Sequence, residues 1–179
     1  MKGFDYASDN LYFVTICVQD RKCCFGNIDL IGTGPDLTVH NSNPNDANYN
    51  NQNSPVNNQK MILNEFGKIA HQQWLWLQNQ YDYADVHTFI IMPNHVHAII
   101  EINSEKAIKD QKIKSLSQLV GAYKTTSSKL IHLAGFKEFS WQRSFHDHII
   151  RTDTSYQRIY EYIKTNPERW DNDSFFTTN

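Results

Sequence analysis

VHTFIIMPNHVHAIIEI, residues 86–102, decides the fold. Val86–Met92 is apolar and rich in β-branched residues, so it reads as a strand. Pro93-Asn94 is a turn pair, and His95–Ile102 reads as the next strand. The two form a hairpin with the histidines just past its turn. His95 and His97 are two apart, which on a strand puts both imidazoles on one face, about 7 Å apart along the backbone. Val96 points the other way into a core, and Ile99 is expected to join it there. Two aligned neutral ring nitrogens are half of a divalent-metal site.

Outward from the hairpin, the other elements follow from local pattern. Leu11–Val18 carries β-branched and aromatic residues and reads as a strand, with Asp20-Arg21-Lys22 as a polar turn after it. Asn64–Gln80 places Phe66, Ile69, Ala70, Trp74 and Leu77 at helical spacing, with Asn64 as the cap. Ser117–Leu133 is a second amphipathic helix burying Leu119, Val120, Tyr123, Leu130 and Ile131. Phe145–Arg151 is a short strand, and Thr154–Asn166 a third helix opened by Thr154 or Ser155. The order β-α-β-β-α-β-α predicts an α+β fold, an antiparallel sheet with helices packed on it in the ferredoxin-like arrangement.

Composition bounds the rest. A chain of 179 residues reads as a single domain, residues 1–179, able to bury a sizeable core. No apolar run reaches the roughly 18 residues that span a membrane, and the N-terminus lacks the pattern of a secretory signal. Cys17, Cys23 and Cys24 are odd in number and lack a C-x-x-C pair. They read as reduced thiols of a cytoplasmic protein. Residues 40–59, HNSNPNDANYNNQNSPVNNQ, are dominated by Asn with almost nothing apolar to bury, and read as a flexible insertion. Net charge is −2, yet residues 1–103 hold five basic against ten acidic side chains and residues 104–179 hold twelve against nine. A basic C-terminal half is either an ordinary solvated surface or a phosphate-binding face.

The third helix carries the remaining chemistry. Ile159, Ile163 and Trp170 form its apolar stripe, and Tyr162 and Asn166, four apart, sit one above the other at the edge of that stripe. If the helix packs near the histidine strand, a phenol and an amide oxygen face the metal together, with Asn166 as third ligand. Otherwise Tyr162 is a surface aromatic and Asn166 a C-terminal cap, with Pro167 ending or kinking the helix.

Several segments together resemble the single-tyrosine HUH transposases, above all the REP-associated tyrosine transposase branch. They are YFVTICVQDRKCCFG (12–26), MILNEFGKIA (61–70), FIIMPNHVHAIIEI (89–102), SLSQLVGAYKTTSSKLI (115–131), FSWQRSFHDHIIR (139–151) and RIYEYIKTNPERW (158–170). Only the Asn-rich stretch falls outside the resemblance. It implies a divalent ion, Mg²⁺ or Mn²⁺, on His95 and His97, with Tyr162 as nucleophile. Asn166 stands where relatives often carry a metal-binding Gln. It also implies cleavage of single-stranded DNA near a hairpin, a 5′-phosphotyrosine intermediate and a free 3′-hydroxyl, in a monomer, with a homodimer as the alternative.

Other residues compete for these roles. Tyr156 and Tyr160 are alternative nucleophiles, but neither is followed by an amide four residues on. His146 and His148 form a second H-x-H that reads as a polar strand edge or a contact to metal or phosphate, while His71, His87 and His132 read as scattered surface positions. Lys124, Lys129, Arg143, Arg151, Arg158, Lys164 and Arg169 are candidates for DNA phosphates, and Trp141 for stacking on unpaired bases. Two other function classes stay open: a water-using metal-dependent phosphoesterase, and a domesticated DNA-binding regulator without catalysis. An Ile at position 99 disfavours the nucleotide hydrolases that carry H-x-H-x-H.

Overall fold

The computed structural model describes residues 10–30, 59–108 and 111–177. A four-stranded antiparallel sheet is built from β1 (Asn10–Cys17), β4 (Ala84–Ile91), β5 (His95–Ile102) and β6 (His146–Ile150), in the order β4-β5-β1-β6. Counting only these four strands, the order is second-third-first-fourth, the ferredoxin-like arrangement. A separate hairpin, β2 (Gly26–Leu30) with β3 (Gln59–Leu63), was not legible in the sequence. Apart from Gln59, which begins β3, the Asn-rich stretch 40–59 lies outside the described residues.

Strand alternation separates two cores. Even-numbered residues of β1 and β5 (Tyr12, Val14, Ile16, Val96, Ala98, Ile100, Ile102) pack under α1 (Glu65–Gln80) and α2 (Leu116–Leu133). Trp74 of α1 stacks on Tyr123 of α2 with ring centroids 4.5 Å apart, and the Tyr123 hydroxyl donates to the Ala70 carbonyl. The opposite face carries α3 (Asp153–Thr165), whose Ile159 and Ile163 pack on Ile99 and Ile150. Ile99 therefore lies with His95 and His97, not with Val96, because odd positions of one strand share one face. Since both faces of β5 are covered over most of its length, its sequence is a mainly apolar run interrupted by the two histidines and, near its end, by the part-exposed Glu101.

Local chemistry sets the helix ends. The Asn64 side chain accepts from Gly67 N–H and donates to the Cys24 carbonyl, tying the start of α1 to the segment after β1. Ser115 and Gln118 form a capping box on α2. Leu130 is 38% exposed, contrary to expectation, and Leu116 and Ser127 are buried in its helix. Thr152, not Thr154 or Ser155, caps α3. Asn166 keeps helical angles (φ −57°, ψ −40°) despite preceding Pro167, so α3 passes straight into a 3-10 turn, Pro167–Asn172. No helix among the described residues is long and apolar enough to cross a membrane.

Candidate active site

His95 opens β5 immediately after the Pro93-Asn94 turn, and its carbonyl accepts from Met92 N–H at 2.8 Å. His95 and His97 are 0% and 1% exposed, and their Nε2 atoms face each other at 3.0 Å. Each ring is held from behind. Nδ1 of His95 lies 2.8 Å from Asn94 Oδ1, and Nδ1 of His97 lies 2.8 Å from Thr15 Oγ1. The Asn94 amide donates to the carbonyls of Arg21 (3.0 Å) and Phe175 (2.8 Å), which fixes its orientation. Its Oδ1 is therefore the acceptor, His95 carries the proton on Nδ1, and the Nε2 lone pair is bare. Burial, helped by the nearby Arg21 charge, lowers the His95 pKa to about 3. Burial and the His95 charge hold His97 well below its ordinary value, against the pull of Asp173. Both rings are neutral at pH 7, the ligating form.

Tyr162, on α3, places its hydroxyl 3.3 Å from His97 Nε2, with ring centroids 5.2 Å apart. Phe13 supports the phenol edge-on. Burial and the Asp173 carboxylate raise the Tyr162 pKa above 10, while a bond from Asn166 and the charge of Arg169 oppose them. Asp173, which the sequence reading did not single out, has a carboxylate oxygen within 4.8 Å of ring nitrogens of both histidines. It sits beyond the 3-10 turn, far from any recognisable spacing to H-x-H. Asn166 donates to Asp173 Oδ2 at 2.9 Å and Phe175 N–H donates to Oδ1 at 2.7 Å. The Asn166 side-chain oxygen is fully buried and has no hydrogen-bond partner among the described residues.

This cluster fits a divalent cation. The two nitrogens stand at about the separation of adjacent ligands on an octahedral ion with roughly 2.1 Å bonds. The Asp173 carboxylate supplies a hard donor, and the neutral imidazoles tilt the preference from Mg²⁺ towards Mn²⁺. Tyr162, Asn166, Arg169, Asn172, Asp173 and Ser174 line a cleft of about 400 Å³ leading to it. On the other side, Phe175 lies against His95 with centroids 4.7 Å apart, and Arg21 rests over the Phe175 ring and donates to the Ser174 carbonyl.

No protein-family model matches the chain. An uncharacterised protein of Haemophilus influenzae is 30% identical to it over 190 aligned positions, covering 98% of this chain and 90% of that one. The two belong to one family. A solved structure of a REP-associated tyrosine transposase bound to a REP hairpin superposes with a TM-score of 0.51 at 15% identity, covering 93% of this chain and 72% of that one. The chain has the fold of a REP-associated tyrosine transposase.

On this transposase fold the remaining candidates scatter. Lys124 donates to three carbonyls, Gln142, Arg143 and Ser144, so its ammonium is occupied in holding that loop. Trp141 is buried against Phe25, Phe139 and Tyr123 and has no exposed face for a base. Arg143 is exposed on the rim of a cleft beside α2. Arg151, directly after β6, and Arg158, in the middle of α3, are exposed, and Lys164 lies over the Tyr160 ring. His146 and His148 are exposed on edge strand β6, opposite Thr15 and Phe13. His71 packs on Phe89, and His132 bonds the Phe139 carbonyl. His87 is no scattered position, because it bonds both Glu101 and Tyr156. Asn94, read as a turn residue only, is the second site residue the sequence concealed.

Proposed function

We propose that this chain nicks and joins single-stranded DNA, with Tyr162 as nucleophile and a Mg²⁺ or Mn²⁺ ion held by His95, His97 and Asp173. The observation that carries the reading is the Tyr162 hydroxyl 3.3 Å from His97 Nε2, inside a cluster of three ligating side chains. The ion supplies positive charge at the scissile phosphate. Asn166 orients the Asp173 carboxylate and adds its own buried oxygen to the set. Thr15 and Asn94 hold the imidazoles, and Arg169 lines the entry cleft beside the phenol, where it meets phosphate.

In the reaction a bond forms between Tyr162 Oη and phosphorus, and the bond from phosphorus to the 3′ oxygen breaks. The proton of the phenol ends on the departing 3′ oxygen. The product is a 5′-phosphotyrosyl enzyme that keeps the phosphodiester's energy, so a second 3′-hydroxyl reverses the step and joins strands. Tyr162 reaches His97 of its own chain, which supports catalysis in cis by a monomer. A hairpin is the favoured DNA partner, given the fold shared with a protein bound to one.

The test is a denaturing gel of labelled single-stranded hairpin DNA, from sequence flanking the gene, incubated with Mn²⁺ or Mg²⁺. A metal-dependent covalent adduct, absent in Tyr162→Phe, is expected. Cleavage without adduct that survives Tyr162→Phe would instead establish a water-using phosphoesterase, and binding without cleavage a regulator.

A further inference from the structure

A second cleft, of about 440 Å³, lies on the same face of the sheet as the histidine pair but at its other end, under the start of α3. All four strands of the sheet contribute to it: Leu11 and Ile150 give an apolar floor, and His87, Glu101, Arg151 and Tyr156 give the walls. Three of these side chains form a chain. His87 Nε2 lies 2.7 Å from Glu101 Oε2, and His87 Nδ1 lies 3.2 Å from the Tyr156 hydroxyl. In the neutral imidazole, Nε2–H donates to the carboxylate and Nδ1 accepts from the phenol. The chain therefore ends in a carboxylate, an acceptor with more lone pairs than His87 alone uses. The Tyr156 ring is half-buried and continues into Tyr160, with centroids 6.0 Å apart and planes 24° from parallel.

The geometry points to a subsite for one unpaired nucleobase carrying an exocyclic amino group. This inference rests on the reading of the chain as an enzyme of single-stranded DNA, and it names which bases the strand must present away from the cut. Glu101 is four positions along β5 from His97, about 13 Å along one face. Tyr162 is six positions along α3 from Tyr156, about 9 Å along the helix. A strand whose phosphate meets Tyr162 thus reaches the second cleft within a few nucleotides. A carboxylate repels phosphate and accepts hydrogen bonds, so a base, not the backbone, belongs at Glu101. Cytosine and adenine offer an amino group where thymine offers a carbonyl oxygen. Tyr156 supplies the stacking face and Arg151, exposed at the rim, the adjacent phosphate contact.

The experiment compares binding of labelled oligo(dC) and oligo(dU), whose base edges present an N4 amino group beside an N3 acceptor and an O4 acceptor beside an N3–H respectively, by fluorescence anisotropy in Mn²⁺. Wild type is expected to favour oligo(dC) by about tenfold, the lower end of a discriminating carboxylate contact. Glu101→Gln should shrink the preference to below about threefold, since an amide presents donors as well as acceptors. Tyr156→Ala should weaken both strands by about tenfold, and Tyr156→Phe, which keeps the ring, should bind like wild type. Both side chains are part-exposed, and an unchanged Mn²⁺ affinity confirms that each variant is folded. Equal binding of the two strands by wild type, or a preference that persists in Glu101→Gln, overturns the subsite. If a Tyr162 adduct forms all the same, the subsite fails and the enzymatic reading stands. No binding of any single strand by wild type overturns both.

Discussion

At the residue scale, the H-x-H pair was legible because strand periodicity alone places both rings on one face. Their partners were not. Asp173 lies beyond a 3-10 turn whose course only tertiary packing sets, and Asn94 looks like any turn residue until its amide is seen bonding the tail carbonyl of Phe175. Asn94→Ala should weaken Mn²⁺ binding about 10- to 100-fold by calorimetry, because the His95 tautomer and ring orientation lose their anchor. An unchanged affinity would show that Asn94 serves the turn only. The buried histidines also set an acid sensitivity in metal-free protein. Their pKa values are depressed on folding, so the unfolded chain binds more protons once pH drops below its ordinary histidine value of about 6.5. Stability is full above that value and falls as pH decreases, towards about 3 for His95, by up to about 1.4 kcal/mol per pH unit for each histidine. Urea midpoints measured with a chelator at about pH 7 and pH 5 should differ accordingly, and midpoints that coincide would contradict buried neutral imidazoles.

At the element scale, the three helices and four sheet strands could be read from apolar spacing, with ends within a residue or two. The β2–β3 hairpin could not, because Gly26–Leu30 and Gln59–Leu63 are short, half-exposed and separated by the Asn-rich stretch. Ile99, expected beside Val96, faces α3 instead, because odd positions of β5 share one face. Helix α1 shows how packing overrides propensity. Gly67 sits at the third position of the helix, where Ala would ordinarily gain roughly 1 kcal/mol. Here a Cβ would stand 2.1 Å from the Phe25 carbonyl oxygen and 2.9 Å from the Leu63 side chain. Gly67→Ala should therefore lower the denaturation midpoint, and a raised midpoint would mean that α1 does not press on the segment after β1.

At the scale of the whole molecule, the sheet divides the labour between its faces. One face carries α1, α2 and the large aromatic core, while the other carries α3, the histidine pair and both clefts. The site is thereby held on a strand and a packed helix, as the proposed attack of a phenol on a phosphate requires. The ferredoxin-like order was legible because two hairpin strands and two flanking βα units leave few other arrangements. The use of the basic C-terminal half was less so, since Lys124 and Trp141 went to structure and Arg151 to a cleft that no spacing announced. Ligand binding at the cluster should stabilise the fold by mass action, so Mn²⁺ should raise the melting temperature of wild type and not of His97→Ala. The most direct measurement is to digest the covalent protein–DNA adduct with trypsin and locate the nucleotide by fragment-ion mass spectrometry. DNA is expected on Tyr162 within the peptide Ile159–Lys164, whereas attachment at Tyr160 or Tyr156, or no attachment in the presence of metal and cleaved DNA, would contradict Tyr162 as the nucleophile.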